Sequence, residues 1–412
     1  MFKDKYLDMN QIISDKAILR LFKVVENHGG ILRFVGGAVR DALAGLKGFD
    51  LDLATDMSPD ELVEACEESG LKTIPIGIKY GTVGVIINEQ VLEVTSLRKD
   101  IQTDGRHAKV EFTTDWQEDA SRRDLTINAV YADEKGNVFD YYNGISDLEK
   151  GVVRFIGNPT QRIQEDYLRI LRFFRFYSIF GKGEIDKKAL RACQENQAGL
   201  TKISIERIRD EFFKILLTPQ VIKTIKIMVD NDILGYILPP APHFDYLQNL
   251  ITLVRKENLD ESALRRLFIL YMPDEKTAEN FATRFKLSKK EKAIFTNWAK
   301  YNPELSDFLN SQSLSKMLYE LGREFCHHKF ILKCAESGES PQNIHEILYK
   351  IKNSPIPSFP LKGRDLIETG IDDNRKIGQI LDMLEQLWID SNFSLSKADL
   401  LAQVHGQLKE AL

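Results

Sequence analysis

The sequence predicts an α+β protein, with a small mixed sheet and helices in the first third and an all-helical remainder. Three observations support this prediction. Short alternating apolar runs, typical of strands, occur only before residue 150. After Pro159, apolar residues recur at spacings of three and four, which indicates helices. Prolines at 239–240 and within 355–360 then mark joints between these helices.

The elements of the first third follow from local stop signals. Helical spacing over residues 18–25 ends at Gly29–Gly30, a pair that stops helices. Gly36–Gly37 separates a short apolar strand from the next helix, and Asn88–Gln90 joins two alternating segments into a hairpin. We therefore expect helices at 18–25 and 38–46 and strands at 31–35, 49–54, 82–87, 91–97 and 138–142.

The remainder of the chain carries apolar positions on one helical face in segment after segment. No internal repeat or low-complexity tract interrupts this pattern. We expect helices at 160–180, 186–196, 204–217, 219–231, 261–271, 274–285, 288–300, 314–321, 341–351, 376–388 and 395–410.

The composition is that of an ordinary folded protein with one locally basic segment. Apolar residues make up 43% of the 412, which excludes global disorder. The formal net charge is −5, yet residues 151–220 contain 13 Lys and Arg against 8 Asp and Glu. A basic segment within an acidic chain indicates a local site for a polyanion, although a solvated helix face has the same composition.

The cysteines and the apolar runs indicate the compartment. Cys66, Cys193, Cys326 and Cys334 lack the C-x-x-C spacing of zinc and redox sites, as is usual in a reducing compartment. The first residues lack the apolar core of a secretion signal, and no apolar run reaches the length of a membrane span. We therefore expect a cytoplasmic protein that has no membrane partner.

Two carboxylates on one predicted strand indicate a metal site. Asp50 and Asp52 flank Leu51, and residues i and i+2 of a strand point to one face. Two such carboxylates repel each other unless a cation lies between them, and Mg²⁺ prefers carboxylate and phosphate oxygens. Glu93 is a candidate third catalytic carboxylate if its strand lies next to the Asp strand, and a surface side chain if it does not.

A phosphate site is predicted from the segment that precedes the carboxylates. Gly36 and Gly37 lie between a strand and a helix, where backbone N–H groups meet anions and glycine permits close approach. Arg40 lies one turn along that helix and is a candidate to bind the same phosphates. Magnesium ligands close to a phosphate site indicate chemistry on a nucleoside triphosphate.

The order of these motifs resembles that of a known family. Gly36–Asp41 followed by Asp50–Asp52 resembles the opening of the class II CCA-adding tRNA nucleotidyltransferases and bacterial poly(A) polymerases, whose head is similar to DNA polymerase β. A looser resemblance is found at 362–367. Between these, the resemblance continues through Gly81–Val83, Asp104–Ala108, Arg122–Asp124, Asn128–Ala129, Glu165–Arg169 and Ile205–Ile208.

The resemblance implies an arrangement and a first set of residue roles. A polymerase-β-like nucleotidyltransferase head at 1–150 would be followed by a helical neck with a nucleotide-selecting helix at 151–218, a helical body at 219–353 and a helical tail at 354–412. Asp50 and Asp52 would bind Mg²⁺. Asp124 would accept a hydrogen bond from the ribose 2′-hydroxyl, which a deoxyribose cannot donate. The nucleotide-binding residues that the resemblance implies in the head are Gly36, Gly37, Arg40, Arg123, Asp124 and Asn128.

Base selection is predicted to lie with Asp166 and Arg169, which are three residues apart on the expected 160–180 helix and so share a face. Arg172 continues near that face and is expected to contact the nucleotide. Cytosine and adenine both present an amino donor beside a ring-nitrogen acceptor, which suits an Asp acceptor and an Arg donor. Uracil and guanine present the opposite pattern and would be rejected. An intrahelical salt bridge is the alternative interpretation of this pair.

Two further segments concern the RNA. Residues 100–107 are polar, contain Gly105, and resemble the flexible loop that the family uses to change from C to A addition. Lys202, Arg207 and Arg209 are candidates to bind phosphates of the tRNA acceptor end, with a solvated helix face as the competing interpretation.

The sequence thus predicts Mg²⁺-dependent addition of CMP, CMP and AMP to the 3′ end of tRNA from CTP and ATP. The first alternative is an A-adding or CC-adding enzyme of a split pair, and the second is a poly(A) polymerase. The segment 77–83 lacks the two basic residues that are typical of the poly(A) branch. An inactive RNA-binding protein is a further alternative, but it would not need the metal carboxylates.

Overall fold

The protein folds into two compact units, Met1–Ala241 and Pro242–Leu412. The structure is a computed structural model that describes residues 16–46, 51–104, 107–238, 242–371 and 373–410, with side chains outside 100–109, 374 and 405–410. Within these ranges all strands lie in the first unit and the second unit contains helices alone. The expected α+β fold, a mixed sheet followed by helices, is confirmed.

The first unit is built on nine strands within the described residues. They are β1 (Leu32–Val35), β2 (Asp52–Thr55), β3 (Lys72–Gly77), β4 (Thr82–Ile87), β5 (Gln90–Ser96), β6 (Arg98–Asp104), β7 (His107–Phe112), β8 (Val130–Ala132) and β9 (Val138–Asp140). Seven of them form one sheet with the order β3-β4-β5-β2-β1-β8-β9, and β6 pairs with β7 as a separate hairpin. The sheet is mixed because β2 and β5 are parallel, whereas its other neighbouring strands are antiparallel.

Five helices accompany this sheet. They are α1 (Lys16–Asn27), α2 (Gly37–Leu43), α3 (Pro59–Glu68), α4 (Trp116–Ser121) and α5 (Gly144–Lys150). Ile18, Leu21 and Val25 share one face of α1 and belong to the same buried core as sheet residues Phe34 and Val94. This spacing of three and four is what an amphipathic helix against a sheet requires.

Five more helices complete the first unit. They are α6 (Pro159–Glu165), α7 (Arg169–Phe180), α8 (Lys187–Asn196), α9 (Ile205–Leu216) and α10 (Val221–Asp230). Helix α7 is central to them and buries Phe173, Phe174 and Tyr177 almost completely. The Oγ atoms of Ser178 on α7 and Thr218 after α9 share a buried hydrogen bond of 2.5 Å.

The expected single helix over 160–180 is wrong, because the chain leaves helical geometry between α6 and α7. Asp166 has φ −155° and ψ 106°, which is extended backbone. Its Oδ1 accepts a hydrogen bond from the Leu168 N–H at 3.1 Å. A short acidic side chain that bonds nearby backbone in this way competes with the helical pattern. Asp166 and Arg169 therefore do not share a continuous helical face.

The second unit consists of helices within its described residues. They are α11 (Phe244–Lys256), α12 (Ala263–Tyr271), α13 (Glu275–Arg284), α14 (Lys289–Lys300), α15 (Leu305–Leu309), α16 (Ser311–Ser337), α17 (Ile344–Asn353), α18 (Gly363–Ile367), α19 (Asn374–Asp390) and α20 (Lys397–Glu410). Helix α16 is kinked at Gly322, which has φ +82°. Phe268 packs edge-on against Phe295 and Trp298 in this unit. Across the residues that the structure describes, no helix is long and apolar enough to cross a membrane.

The close packing around Gly144 leads to a prediction about the stability of the first unit. A Cβ atom at Gly144 would lie 2.2 Å from the carbonyl oxygen of Thr126. We expect Gly144→Ala to lower the free energy of unfolding by about 1–3 kcal/mol, because backbone must move to admit the methyl group. Gly183→Ala is the control, since a Cβ there meets nothing within 4 Å. Urea unfolding of both variants measures the difference, and equal midpoints would contradict the assignment.

Candidate active site

A polar cleft of about 640 Å³ in the first unit brings together every residue that the sequence assigned to nucleotide binding. Helices α2, α7 and α9 contribute to its walls, together with the start of β2 and the segment that follows α4. The cleft is lined by Gly36, Gly37, Arg40, Asp41, Asp52, Arg122, Arg123, Asp124, Asn128, Asp166, Arg169, Arg172, Arg175, Phe176 and Lys214.

Two of the candidate catalytic carboxylates are neighbours on the sheet. Asp52 on β2 is the register partner of Glu93 on the parallel strand β5. Such partners lie about 4.8 Å apart and point to one face of the sheet. Both side chains are exposed, and Asp52 lines the cleft although Glu93 does not. Asp50 lies outside the described residues.

The chemistry of these side chains fits a divalent cation. Adjacent carboxylates repel each other, and a hard cation relieves that repulsion with oxygen ligands. Within the described ranges, no group of three His, Cys, Asp or Glu side chains is placed to hold a metal ion by itself. Phosphate oxygens of a substrate and Asp50 are the further ligands that the sequence analysis predicts.

The turn from β1 into α2 requires glycine. Gly36 has φ +64° and ψ −116°, a backbone conformation that residues with a side chain rarely adopt. Its N–H donates to the carbonyl oxygen of Val130 at 3.2 Å. A Cβ at Gly36 would lie 3.6 Å from Nη1 of Arg123. The backbone of this turn therefore lies in the cleft, near the Arg123 guanidinium.

Arg40 connects α2 to the rest of the cleft. Its Nε and Nη2 donate to the two carboxylate oxygens of Asp41 at 2.8 and 2.9 Å, and its Nη1 donates to Oδ1 of Asn128 at 2.5 Å. The guanidinium lies 4.8 Å from the ring centre of Phe176 and 4.9 Å from that of Phe180. Burial lowers the pKa of Arg40, although Asp41 opposes this change. An arginine pKa starts so far above neutrality that the charge is kept.

Asp124 is buried and accepts three hydrogen bonds. Arg172 Nε donates to Oδ2 at 2.6 Å, while Asn128 Nδ2 and the Leu125 N–H donate to Oδ1 at 3.0 and 2.9 Å. Burial alone would raise the pKa of Asp124, but the charge of Arg172 and the Asn128 hydrogen bond hold it well below its usual range. Hydrogen bonds therefore run without a break from Arg40 through Asn128 and Asp124 to Arg172.

Asp119 on α4 is a buried anchor that the sequence analysis missed. Its Oδ1 accepts from Arg122 Nε at 2.8 Å, and its Oδ2 accepts from Arg123 Nη2 at 3.0 Å and from the Tyr131 hydroxyl at 2.7 Å. Burial would raise the pKa of Asp119, but Arg123, Arg122 and Tyr131 hold it well below its usual range. The available signal was its spacing of three and four residues from Arg122 and Arg123 on a helical segment.

Asp166 and Arg169 both line the cleft, but they have different partners in the structure. Asp166 Oδ2 accepts from Arg207 Nη2 at 2.7 Å. Arg169 Nη1 donates to Glu165 at 2.6 Å and to the carbonyl oxygen of Arg162 at 3.0 Å, and its Nη2 donates to the carbonyl of Arg122 at 3.1 Å. The alternative of a direct salt bridge between Asp166 and Arg169 does not describe this site.

A second buried ion pair, between Arg175 on α7 and Glu211 on α9, adjoins the cleft. Arg175 Nε is 3.1 Å from Glu211 Oε1, and the Glu211 residue is 4% exposed. The Arg175 guanidinium also lies 4.5 Å from the ring centre of Phe176. Burial lowers the pKa of Arg175 against the effect of Glu211. Neither Glu211 nor Phe176 was assigned to the site from the sequence, because both look like ordinary residues of an amphipathic helix.

The three basic residues that were expected to contact RNA occupy different environments. Lys202 Nζ lies 5.4 Å from the ring centre of Tyr167. Arg209 Nη2 is 2.8 Å from Oδ1 of the exposed Asp210. Arg207 forms the ion pair with Asp166 described above, and none of the three lines the cleft.

Comparison with known proteins identifies the class to which the protein belongs. A sequence profile of the poly(A) polymerase head domain matches residues 32–154, and one described as the probable RNA and SrmB-binding site of polymerase A matches residues 184–244. The protein is therefore a nucleotidyltransferase with a head of the poly(A) polymerase type.

Relatives that span almost the whole chain define the family more closely. Human mitochondrial CCA tRNA nucleotidyltransferase 1 is 37% identical, over 94% of this chain and 89% of its own length. The CCA-adding enzyme of Ligilactobacillus salivarius is 30% identical, over 96% and 97%. The structure of the Bacillus stearothermophilus CCA-adding enzyme in complex with CTP matches with a TM-score of 0.78 at 25% identity, covering 96% of this chain and 98% of that one. The chain belongs to the family of CCA-adding tRNA nucleotidyltransferases, whose members generally use a divalent metal.

The buried anchor generates a stability prediction. We expect Asp119→Asn to lower the free energy of unfolding by about 3–5 kcal/mol, because Arg122 and Arg123 would lose their counter-charge in a buried site. Asp115→Asn on the same helix is the matched control. Asp115 caps α4 by accepting from the Gln117 N–H at 2.8 Å, and asparagine caps helices equally well. Urea titrations compare the two variants, and similar midpoints would show that Asp119 is not the anchor.

Proposed function

We propose that the chain adds CMP, CMP and AMP in turn to the 3′ end of tRNA, using CTP and ATP and no nucleic-acid template. The observation that carries this proposal is one cleft that contains Asp52, the Gly36–Gly37 turn, Asp166 and Arg169. The first two features offer the metal and phosphate sites that nucleotidyl transfer from a triphosphate needs, whereas an Asp–Arg pair suits the base edge that cytosine and adenine share. The names of the relatives support the same activity.

The metal site would be completed by the substrate. Asp50 and Asp52, with Glu93 beside them, would hold magnesium ions that neutralise the triphosphate and favour attack by the RNA 3′-hydroxyl. The neighbouring register of Asp52 and Glu93 supports this assignment. The attacking oxygen forms a bond to the α-phosphorus, and pyrophosphate leaves.

The triphosphate and the ribose would be held by the chain of hydrogen bonds in the cleft. The backbone at Gly36 and Gly37 and the charge of Arg40 offer donors and positive charge to phosphate oxygens. We assign Asp124 to the ribose 2′-hydroxyl, with Asn128, Arg123 and Arg172 nearby. A carboxylate has about four acceptor positions, and the bonds from Arg172, Asn128 and Leu125 use three of those of Asp124.

The base would be selected by Asp166 and Arg169. Asp166 accepts two hydrogen bonds in the structure, from the Leu168 N–H and from Arg207, which leaves acceptor capacity for an exocyclic amino group. Arg169 makes three of the five hydrogen bonds that a guanidinium can donate. It therefore retains donors for a ring nitrogen. Uracil and guanine would place a carbonyl oxygen opposite Asp166 and a ring N–H opposite Arg169, so neither hydrogen bond would form.

The RNA would approach along the basic segment that precedes α10. The profile described as a probable RNA-binding site covers Lys202 and Arg209. Side chains of this kind bind phosphates and make binding sensitive to salt. The chain would be divided into a head at 1–150, a neck at 151–218, a body at 219–353 and a tail at 354–412. We also propose a reducing compartment such as the cytoplasm, in line with the four free, buried cysteines.

The experiment that tests this function supplies the purified protein with Mg²⁺, each nucleoside triphosphate, and tRNA that ends at the discriminator base, at C, or at CC. We expect C to be added to the first two ends and A to the third. An A tail of many residues would favour a poly(A) polymerase. Addition of A alone or of C alone would favour one member of a split pair.

The metal carboxylate gives a further expected outcome. We expect Asp52→Ala to reduce kcat/KM for CTP by about 100-fold or more, because several kcal/mol of transition-state stabilisation depend on the bound metal. Asp60→Ala removes an exposed carboxylate from the first turn of α3 and serves as the control. Single-turnover addition of C to tRNA measures both variants, and full activity of Asp52→Ala would contradict the metal assignment.

A further inference from the structure

The break between α6 and α7 deprives Asp166 of helical support. Its backbone is extended, with φ −155° and ψ 106°, so the helix does not fix where its side chain points. Two hydrogen bonds fix it in place of the helix. Leu168 N–H donates to Oδ1 at 3.1 Å, and Arg207 Nη2 donates to Oδ2 at 2.7 Å.

Arg207 reaches Asp166 from a different helix. It lies in the first turn of α9, four residues before Glu211, which forms the buried pair with Arg175. Residues four apart share one helical face, so α9 presents two charged groups to two residues that line the cleft. Arg207 itself does not line the cleft. The side chains of Arg207 and Asp166 are 25% and 18% exposed, so the pair is partly shielded from solvent.

We propose that Arg207 is a positioning residue for base selection, which holds the Asp166 carboxylate where it can accept from an amino group and nowhere else. This inference rests on the proposed function. It differs from the expectation that Arg207 binds an RNA phosphate, because the Arg207 guanidinium already forms an ion pair with Asp166.

The geometry of the bases shows why orientation matters for selectivity. Uracil and guanine have a protonated ring nitrogen next to the carbonyl that replaces the amino group. A carboxylate that can rotate or shift by the width of one ring atom would accept a hydrogen bond from that ring N–H. Asp166 would then bind the bases that it must reject. An ion pair from a second helix prevents this shift, so its loss should affect selectivity more than nucleotide binding in general.

The test measures kcat/KM for CTP and for UTP with the full-length protein and tRNA that ends at the discriminator base. We expect Arg207→Ala to lower the CTP-to-UTP ratio about 10- to 100-fold, the scale of a group misplaced by about 1 Å. Arg207→Lys, which keeps a cation on a long side chain, should recover part of the ratio. Arg191→Ala is the control, because Arg191 is a well-exposed arginine whose ion pair is with Glu195 on α8.

Two further readouts separate positioning from an RNA contact. In an Asp166→Ala background, Arg207→Ala should change the ratio by less than about twofold, because residues that act through one another are not additive. The Kd for tRNA and its dependence on salt should stay at the wild-type values. An unchanged CTP-to-UTP ratio together with weaker, less salt-dependent tRNA binding would overturn the proposal. Should Arg207→Ala fail to fold, Arg207→Gln carries the same comparison with the same two outcomes.

The outcome also separates this inference from the proposed function. A wild-type protein that adds no C to the tRNA refutes the function itself. A wild-type protein that adds C, with a variant whose ratio is unchanged, refutes the role of Arg207 alone.

Discussion

Two buried carboxylates, Asp119 and Asp124, hold three arginines of the cleft in place, and the rest of the site depends on them. Asp119 accepts from Arg122 and Arg123, and Asp124 accepts from Arg172. Arginines that converge on one cleft repel each other, and their placement is stable only where each has a fixed counter-charge. The nucleotide would therefore enter a site whose charges are already in position, which reduces the reorganisation needed for reaction.

The nucleotide-binding residues predicted from the sequence share the cleft, but the sequence did not predict that Phe176 lines it or which residues are bonded to one another. Asp52 and Glu93 were expected together only if their strands were neighbours, and strand order depends on pairing between distant segments. The pair of Asp166 with Arg207 joins residues 41 positions apart. No periodicity connects such residues. The apolar pattern of 160–180 continues through Asp166, so it does not reveal that the helix is interrupted there.

The fold was predictable where long periodic segments decide it. The division into a mixed sheet and later helices, and helices such as α9 and α14, agree with the expected ranges. The edge strand β3 was missed because it contains Pro75, which removes a ladder hydrogen bond and is tolerated at an edge. The polar segment 100–107 was expected as a loop, whereas its backbone pairs within the β6–β7 hairpin; residues 105–106 and the side chains of 100–109 lie outside the described residues.

The central claim is that protein side chains, rather than a nucleic-acid template, choose the base. Equilibrium binding of the four nucleoside triphosphates to the protein without RNA tests it most directly. We expect CTP and ATP to bind, and UTP and GTP to bind at least about 100-fold more weakly, because unpaired polar groups in a closed site are costly. Equal affinities for all four would contradict it.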